Sequence, residues 1–395
     1  MEMNFFLGRD QGIFNKDLTE YETELNEIVK NSNFLVVGAA GTIGKSVTNE
    51  IFKRDPKKLH VVDISENNLV ELVRNIRSTI GYNSGEFKTF AVDFGDEVFA
   101  TLVKTMGPYD YVFNLAALKH VRSEKDPFTL MRMSLVNIIH SYNLSKMCYK
   151  MNVNKYFCVS TDKAAGPVNM MGASKSIMEN FLLREDNLQI TSMARFANVA
   201  FSDGSLLHGF LQRIQKQQPL SAPNNIVRYF VTPQEAGELC MISGLLGKNR
   251  ETYFPKVSQN FDLIKFTDIA VRLLQNHGFE PYICSSEEEA RDSAEELIQK
   301  KLWPCYFFES DTTGEKPFEE FYTGSENIEF DKYHSLGIIK NYSNSNISDL
   351  DKFESSLASL LRTGVWTKTD LLNLYQCVLA DFKHLELHKY LDERM

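Results

Sequence analysis

Long apolar runs are missing from this chain: nothing in its 395 residues approaches the roughly 20 consecutive apolar residues that a membrane-spanning helix needs, so no membrane partner is expected. The first residues, Met1 to Asp10, lack the basic-then-apolar layout of a signal peptide, which places the protein in the cytoplasm. Six cysteines (Cys148, Cys158, Cys240, Cys284, Cys305 and Cys377) are scattered without a CxxC pair, so neither a zinc knuckle nor a disulfide framework is suggested. They read as buried thiols. Positive charge is also short: the net charge is −9, which argues against a nucleic-acid partner but leaves room for a local basic pocket holding a phosphorylated small molecule. Internal repeats and low-complexity tracts are absent. What remains, 43% hydrophobic and 24% charged residues, suits one large or two ordinary packed domains.

The apolar pattern divides the chain. Residues 1–30 carry Leu18, Tyr21, Leu25 and Ile28 at helical spacing and read as an N-terminal helical extension. From 31 to 247, short apolar runs (Phe34 to Val37, Leu59 to Val62, Tyr111 to Phe113, Tyr156 to Val159) alternate with longer helical patterns. That is the signature of strands buried on both faces of a parallel sheet, hence an α/β doubly wound core. Past Gly247 the rhythm breaks, and 248–340, with an acidic helical stretch from Ser285 to Lys301 and an aromatic segment from Trp303 to Phe321, reads as a smaller substrate-binding region. Residues 341–395 read as a linker, Asn341 to Ser348, followed by two helices, the second opening on the capping box Thr367-x-x-Asp370. Its stripe of Leu371, Leu374, Tyr375, Val378, Leu379 and Phe382 needs cover from the chain's own core or from a second subunit, and self-association is expected. His384 and His388 have a spacing that could chelate a metal from one helix face, but no third ligand is near and no metal is expected.

Gly38-Ala39-Ala40-Gly41-Thr42-Ile43-Gly44 follows the first strand and opens a helix reaching about Lys53. Glycines there permit a tight turn, and the N–H groups at a helix N-terminus suit a pyrophosphate. The spacing fits a Rossmann-type NAD(P) site. Gly44-Lys45-Ser46 ends like an ATPase phosphate loop, yet that motif needs glycine at position 39, which is Ala39. Asp63 closes the second strand, where a carboxylate accepts from ribose hydroxyls and repels a 2′-phosphate, favouring NAD. Asp93 and Phe94 follow the third strand and could reach the adenine; a solvated turn aspartate is the blander reading of Asp93.

Asn114-Leu115-Ala116-Ala117-Leu118-Lys119-His120-Val121, Ser160-Thr161-Asp162-Lys163, Met171-Gly172-Ala173-Ser174-Lys175, Arg195-Phe196-Ala197-Asn198-Val199 and Arg228-Tyr229-Phe230 together resemble, in order and spacing, the extended short-chain dehydrogenase/reductases. Within them the chain is similar to the UDP-N-acetylglucosamine 4,6-dehydratases of the polysaccharide-biosynthesis group, over about Asn33 to His334. The resemblance implies NAD carried bound and regenerated: hydride leaves sugar C4, a proton leaves C5, the C6 hydroxyl is eliminated and hydride returns to C6. It also implies roles. Asp162 would be the acid toward the C6 hydroxyl, Lys163 the base at C5, Ala116 a neighbour of the cofactor, and Lys175 the holder of the nicotinamide ribose. Asn198 and Arg228 would contact the diphosphate, and Lys119 and His120 would lie near the sugar.

Two points stay open at this level. Most of the superfamily has tyrosine where this chain has Met171, so the C4 hydroxyl proton must leave by Asp162, Thr161 or a water. For Asp162 and Lys163 both to reach one sugar, the chain must turn at Thr161, because consecutive strand residues face opposite ways. Three departures from the resembled pattern bear on the substrate: His140 for a glycine after Asn137, Ala197 for a glycine before Asn198, and Gly166-Pro167 for an Asn-Pro pair. A GDP-linked sugar and a noncatalytic nucleotide-binding protein are the alternatives.

Overall fold

The computed structural model describes residues 3–257, 263–311, 314–316, 318–340 and 345–387. Its centre is a sheet whose strands β1 (Asn33–Val37), β2 (Lys58–Asp63), β3 (Glu86–Ala91), β4 (Tyr111–Asn114), β5 (Lys155–Thr161) and β6 (Thr191–Phe196) stand in the order β3-β2-β1-β4-β5-β6. All pair in parallel. Alternation along β1 explains why its run is apolar throughout. Phe34 and Val36 enter one core with the helices Asn15–Lys30, Thr42–Phe52 and Pro233–Leu246, while Leu35 and Val37 enter another on the opposite face with Met170–Leu183. Both faces are covered, as expected of a doubly wound sheet. The order reverses between β1 and β4, and such a switch point opens a crevice at the carboxyl ends of the strands.

The region after Gly247 does not stand apart. Glu251–Pro255 extends the sheet in parallel beside β6, and Leu336–Lys340 and Ile328–Glu329 follow antiparallel. A second, smaller core does exist, around the three-stranded parallel sheet of Leu220–Pro223, Leu302–Phe308 and Glu280–Ile283. It is assembled from both sides of the expected boundary and includes Phe6 and Leu7 from the N-terminus.

At the other end, helices Ile347–Thr363 and Lys368–Val378 fold back on the core. Phe353 meets Phe181 at 6.0 Å, the Tyr375 hydroxyl bonds Ser134 Oγ at 2.8 Å, and Arg184 pairs with Asp351 at 2.8 Å. The tail's apolar stripe is thus covered by the chain itself: Leu371, Tyr375 and Phe382 are buried in the core of the Met170–Leu183 face. The first of these helices begins at Ile347, inside the expected linker, of which 341–344 lie outside the described residues.

Cys377 departs from the expected buried thiols. It is exposed, whereas the other five cysteines are buried and all six are free. His384 lies beyond the last helix, next to Glu124 at 3.3 Å; His388 lies outside the described residues. Among the described residues no group of three His, Cys, Asp or Glu is placed to hold a metal, and no helix is long and apolar enough to cross a membrane.

Candidate active site

At the switch point the chain leaves β1 through Gly38, whose φ is +74°, a left-handed conformation that favours glycine. A Cβ there would also lie 2.5 Å from the Ala116 nitrogen, so Gly38 and Ala116 face each other across the ends of β1 and β4. Gly44 lies in the first turn of the Thr42–Phe52 helix, which Ile43 helps to pack on the core. A methyl on Gly44 would fall on the Gly38 carbonyl oxygen. Gly41, the residue before that helix, is different. Its Cβ would meet nothing closer than the Gly38 carbonyl at 3.6 Å, so packing does not demand glycine there; a side chain would project over the helix N-terminus, where an anion is favoured.

Asp63 holds this turn. One carboxylate oxygen accepts from the Ala40 N–H and the other from the Ser65 N–H, both at 2.9 Å. These bonds leave lone pairs for further donors. Asp93 closes a turn by accepting from the Gly95 N–H at 2.9 Å and faces Arg132 at 3.4 Å. Phe94 beside it packs edge-on against His140 at 5.7 Å. The His140 ring, in place of a glycine, lies against Gly95, where no Cβ competes for the space. Ala197 is likewise absorbed, buried in the core.

The second half of the site begins where β5 ends. Thr161 is extended, and Asp162–Ala164 then wind into a single 3-10 turn, the bend that two neighbouring side chains need to share one ligand. Gly172 lets the Met170–Leu183 helix press on the Lys163 carbonyl. Asp162 is buried and accepts from the Thr161 hydroxyl at 2.9 Å and from Lys163 Nζ at 3.0 Å. Lys163 Nζ also donates to Asn198 Oδ1 at 3.3 Å. Asn198 comes from a two-residue strand paired with Phe230–Val231.

On the helix, Met171 is buried among apolar side chains. Lys175 donates to the Val159 carbonyl at 3.0 Å, and burial pushes the pKa of its ammonium down. Asn137 clamps the segment before Lys119 to this helix, bonding both backbone groups of Leu118 and the Ser174 hydroxyl.

Lys119 and His120 lie against a loop that reaches the glycine turn. The His120 ring packs on Gly204, and Asp203 bonds Thr42 twice, its N–H donating to Thr42 Oγ1 at 2.9 Å and its carboxylate accepting from the same hydroxyl at 3.2 Å. Burial, with Lys119 and Arg122 nearby, holds the His120 ring below the usual histidine range. Arg228 is buried and paired with Glu315 at 3.2 Å.

Glu315 belongs to a strap that sequence reasoning read only as an aromatic segment. Gly314 in this strap accepts from Asn169 Nδ2 at 2.7 Å and donates its N–H to the Leu385 carbonyl. The strap also delivers Glu319, a buried carboxylate 3.9 Å from Lys163 Nζ, which no motif marked. Arg195, part of one quoted motif, is a buried structural tie between Glu179 and Glu326 at 2.6 and 2.8 Å.

The 3-2-1-4-5-6 sheet, a glycine turn at its switch point, an Asp-Lys turn after β5 and a buried lysine on the following helix define an extended short-chain dehydrogenase/reductase. The chain belongs to the polysaccharide biosynthesis protein family, whose model matches residues 34–340. It is 31% identical over 65% of its length to the uncharacterized membrane protein MJ1061 of Methanocaldococcus jannaschii, covering 76% of that protein. To the capsular polysaccharide biosynthesis protein CapD of Staphylococcus aureus it is 31% identical over 70% of its length, spanning 45% of CapD. A UDP-N-acetylglucosamine 4,6-dehydratase (inverting) of Campylobacter jejuni is 26% identical over 62% of this chain and 71% of its own. Among solved structures, Pen from Bacillus thuringiensis superposes with a TM-score of 0.63 at 23% identity, over 86% of this chain and 99% of Pen.

Proposed function

We propose that the protein is an NAD-dependent dehydratase of a nucleotide-linked N-acetylhexosamine, most consistent with UDP-N-acetylglucosamine, and converts it to the 4-keto-6-deoxy sugar. The observation that carries this reading is the Asp162-Lys163 turn. A buried carboxylate and a part-buried ammonium, joined at 3.0 Å, stand at the carboxyl edge of the sheet with Asn198 beside them. The named dehydratase relative supports the substrate class.

The cofactor, when bound, would take the C4 hydride and return it at C6. Gly38, Gly41 and Gly44 would hold its pyrophosphate at the Thr42 helix N-terminus, Asp63 its ribose, and Lys175 the ribose next to the nicotinamide. Lys163 removes the C5 proton and later restores it, and Asp162 gives a proton to the departing C6 oxygen. Asn198 and Arg228 orient the diphosphate; Arg228 would exchange its Glu315 partner for phosphate, which suits its forked donors. Lys119 and His120 border the sugar.

Incubating the purified protein with UDP-N-acetylglucosamine, without added cofactor, should give a product lighter by one water in mass spectrometry. Lys163→Met should abolish it while NAD stays bound. If no product forms with UDP- or GDP-N-acetylglucosamine, even with NAD supplied, the dehydratase reading fails and a noncatalytic nucleotide-binding role takes its place.

A further inference from the structure

Glu319 has no counterpart in the roles assigned so far, yet it faces the reacting centre. Its carboxylate is 4% exposed, and its Oε1 lies 3.9 Å from the Lys163 nitrogen that Asp162 approaches at 3.0 Å. Lys163 thus has two carboxylate neighbours. The charged groups facing Glu319 are Lys163 and Asp162 from the turn, Arg228 from its short strand and Lys316 from its own strap. Burial pushes the Glu319 carboxyl above the ordinary carboxylate range; Asp162 adds to the push only when ionised, and the charges of Lys163, Arg228 and Lys316 oppose it.

The dehydratase reading, on which this inference rests, leaves one proton without an assigned side-chain acceptor, that of the C4 hydroxyl. Met171 cannot take it: its side chain is apolar and packed into the core. The Thr161 hydroxyl is spent as a donor to Asp162, and Asp162 is committed to the C6 oxygen. A sugar that presents C5 to the Lys163 nitrogen presents, on the adjacent carbons, one oxygen at C4 and one at C6. Two carboxylates flank that nitrogen, and one of them is still unassigned.

We propose that Glu319 accepts the C4 hydroxyl proton. The C4 O–H bond breaks, its proton forms an O–H bond on Glu319, and the electron pair left on oxygen becomes the carbonyl as C4 loses its hydride, for which a bound nicotinamide cofactor would be the acceptor. Later the C6–O bond breaks and that oxygen leaves as water with a proton from Asp162. Each turnover therefore ends with Glu319 protonated and Asp162 ionised. One proton passed from Glu319 to Asp162, across the Lys163 nitrogen that both approach, restores the starting state. The sum is loss of one water with no net proton.

The test separates C4 chemistry from C5 chemistry. Dehydration of UDP-N-acetylglucosamine is measured alongside solvent-deuterium exchange at C5 of the isolated 4-keto-6-deoxy product, which needs Lys163 but no proton acceptor at C4. Glu319→Gln should lower dehydration by roughly a hundred- to ten-thousand-fold while C5 exchange stays close to wild type. Its residual turnover should lose the fall toward acid pH that a required carboxylate imposes, and Glu319→Asp should recover part of the rate. Lys163→Met should lose both activities. Undiminished dehydration in Glu319→Gln would overturn the proposal. So would equal loss of dehydration and exchange, since Glu319 would then only position Lys163. A wild-type protein that neither dehydrates nor exchanges would remove the dehydratase reading itself, and this role with it.

Discussion

The glycine turn shows how much one hydrogen atom can decide. Gly44 is required by contact and Gly38 by both contact and backbone conformation, whereas Gly41 faces open space. Gly44→Ala should therefore destabilise the fold by about 1–3 kcal/mol, as overpacking against a fixed carbonyl does, and thermal denaturation should show it without any cofactor present. Gly41→Ala should leave the melting temperature near wild type and instead weaken NAD binding, measured by calorimetry. Those three glycines were legible because their spacing is local, and so was the Asp162-Lys163 pair. Glu319 was not. It lies far along the chain from Lys163, and only the fold of the strap brings the two together.

At the level of elements, the strands that could be read were those with short, mainly apolar runs, β1, β2, β4 and β5, and β3, which ends just before Asp93. β6 carries Thr191, Ser192 and Arg195, and it is nonetheless fully buried. Its charge is neutralised from outside the strand, by Glu179 on one side and Glu326 on the other, which local pattern cannot show. The same limit hid Glu251–Pro255 and Leu336–Lys340, whose antiparallel pairing spans a long stretch of chain. The tail helices make the reverse case: their stripe was visible, but not what covers it. Because Phe353 is buried against Phe181, Phe353→Ala should cost about 3–5 kcal/mol. Hydrogen exchange should then quicken in Met170–Leu183, the helix that carries Met171 and Lys175, as well as in the tail.

Across the whole molecule, the N-terminal segment and the Pro233–Leu246 helix enclose two crevices of about 280 and 360 Å³, both lined by Asn15, Gln234 and Glu238. Glu238 is 3% exposed, one of its oxygens has no hydrogen-bond partner, and burial pushes its pKa from 4.5 to about 7, with Glu50 and Glu235 adding to the shift and Gln234 and Lys53 opposing it. The sign follows from linkage. Between about pH 4.5 and 7 the folded protein holds a proton on Glu238 that the unfolded chain has released, so stability falls as pH rises through that window. The loss approaches about 3 kcal/mol above it. Urea denaturation at pH 5 and pH 8 should show a smaller loss in Glu238→Gln than in wild type; equal losses would mean that Glu238 titrates as an ordinary carboxylate.

The Leu385 N–H donates to the Val168 carbonyl, and the Leu385 carbonyl accepts from the Gly314 N–H, at 2.8 and 2.9 Å. These two bonds join the loop leading into the Met170 helix, the strap that carries Glu319 and nearly the last described residues of the chain. During synthesis the Asp162-Lys163 turn leaves the ribosome early, but the brace that ties the loop after it to the strap of Glu319 waits for residue 385. The order in which the chain is made is therefore not the order in which its site is finished, and a nascent chain stopped in the tail would have its candidate catalytic residues without their last support.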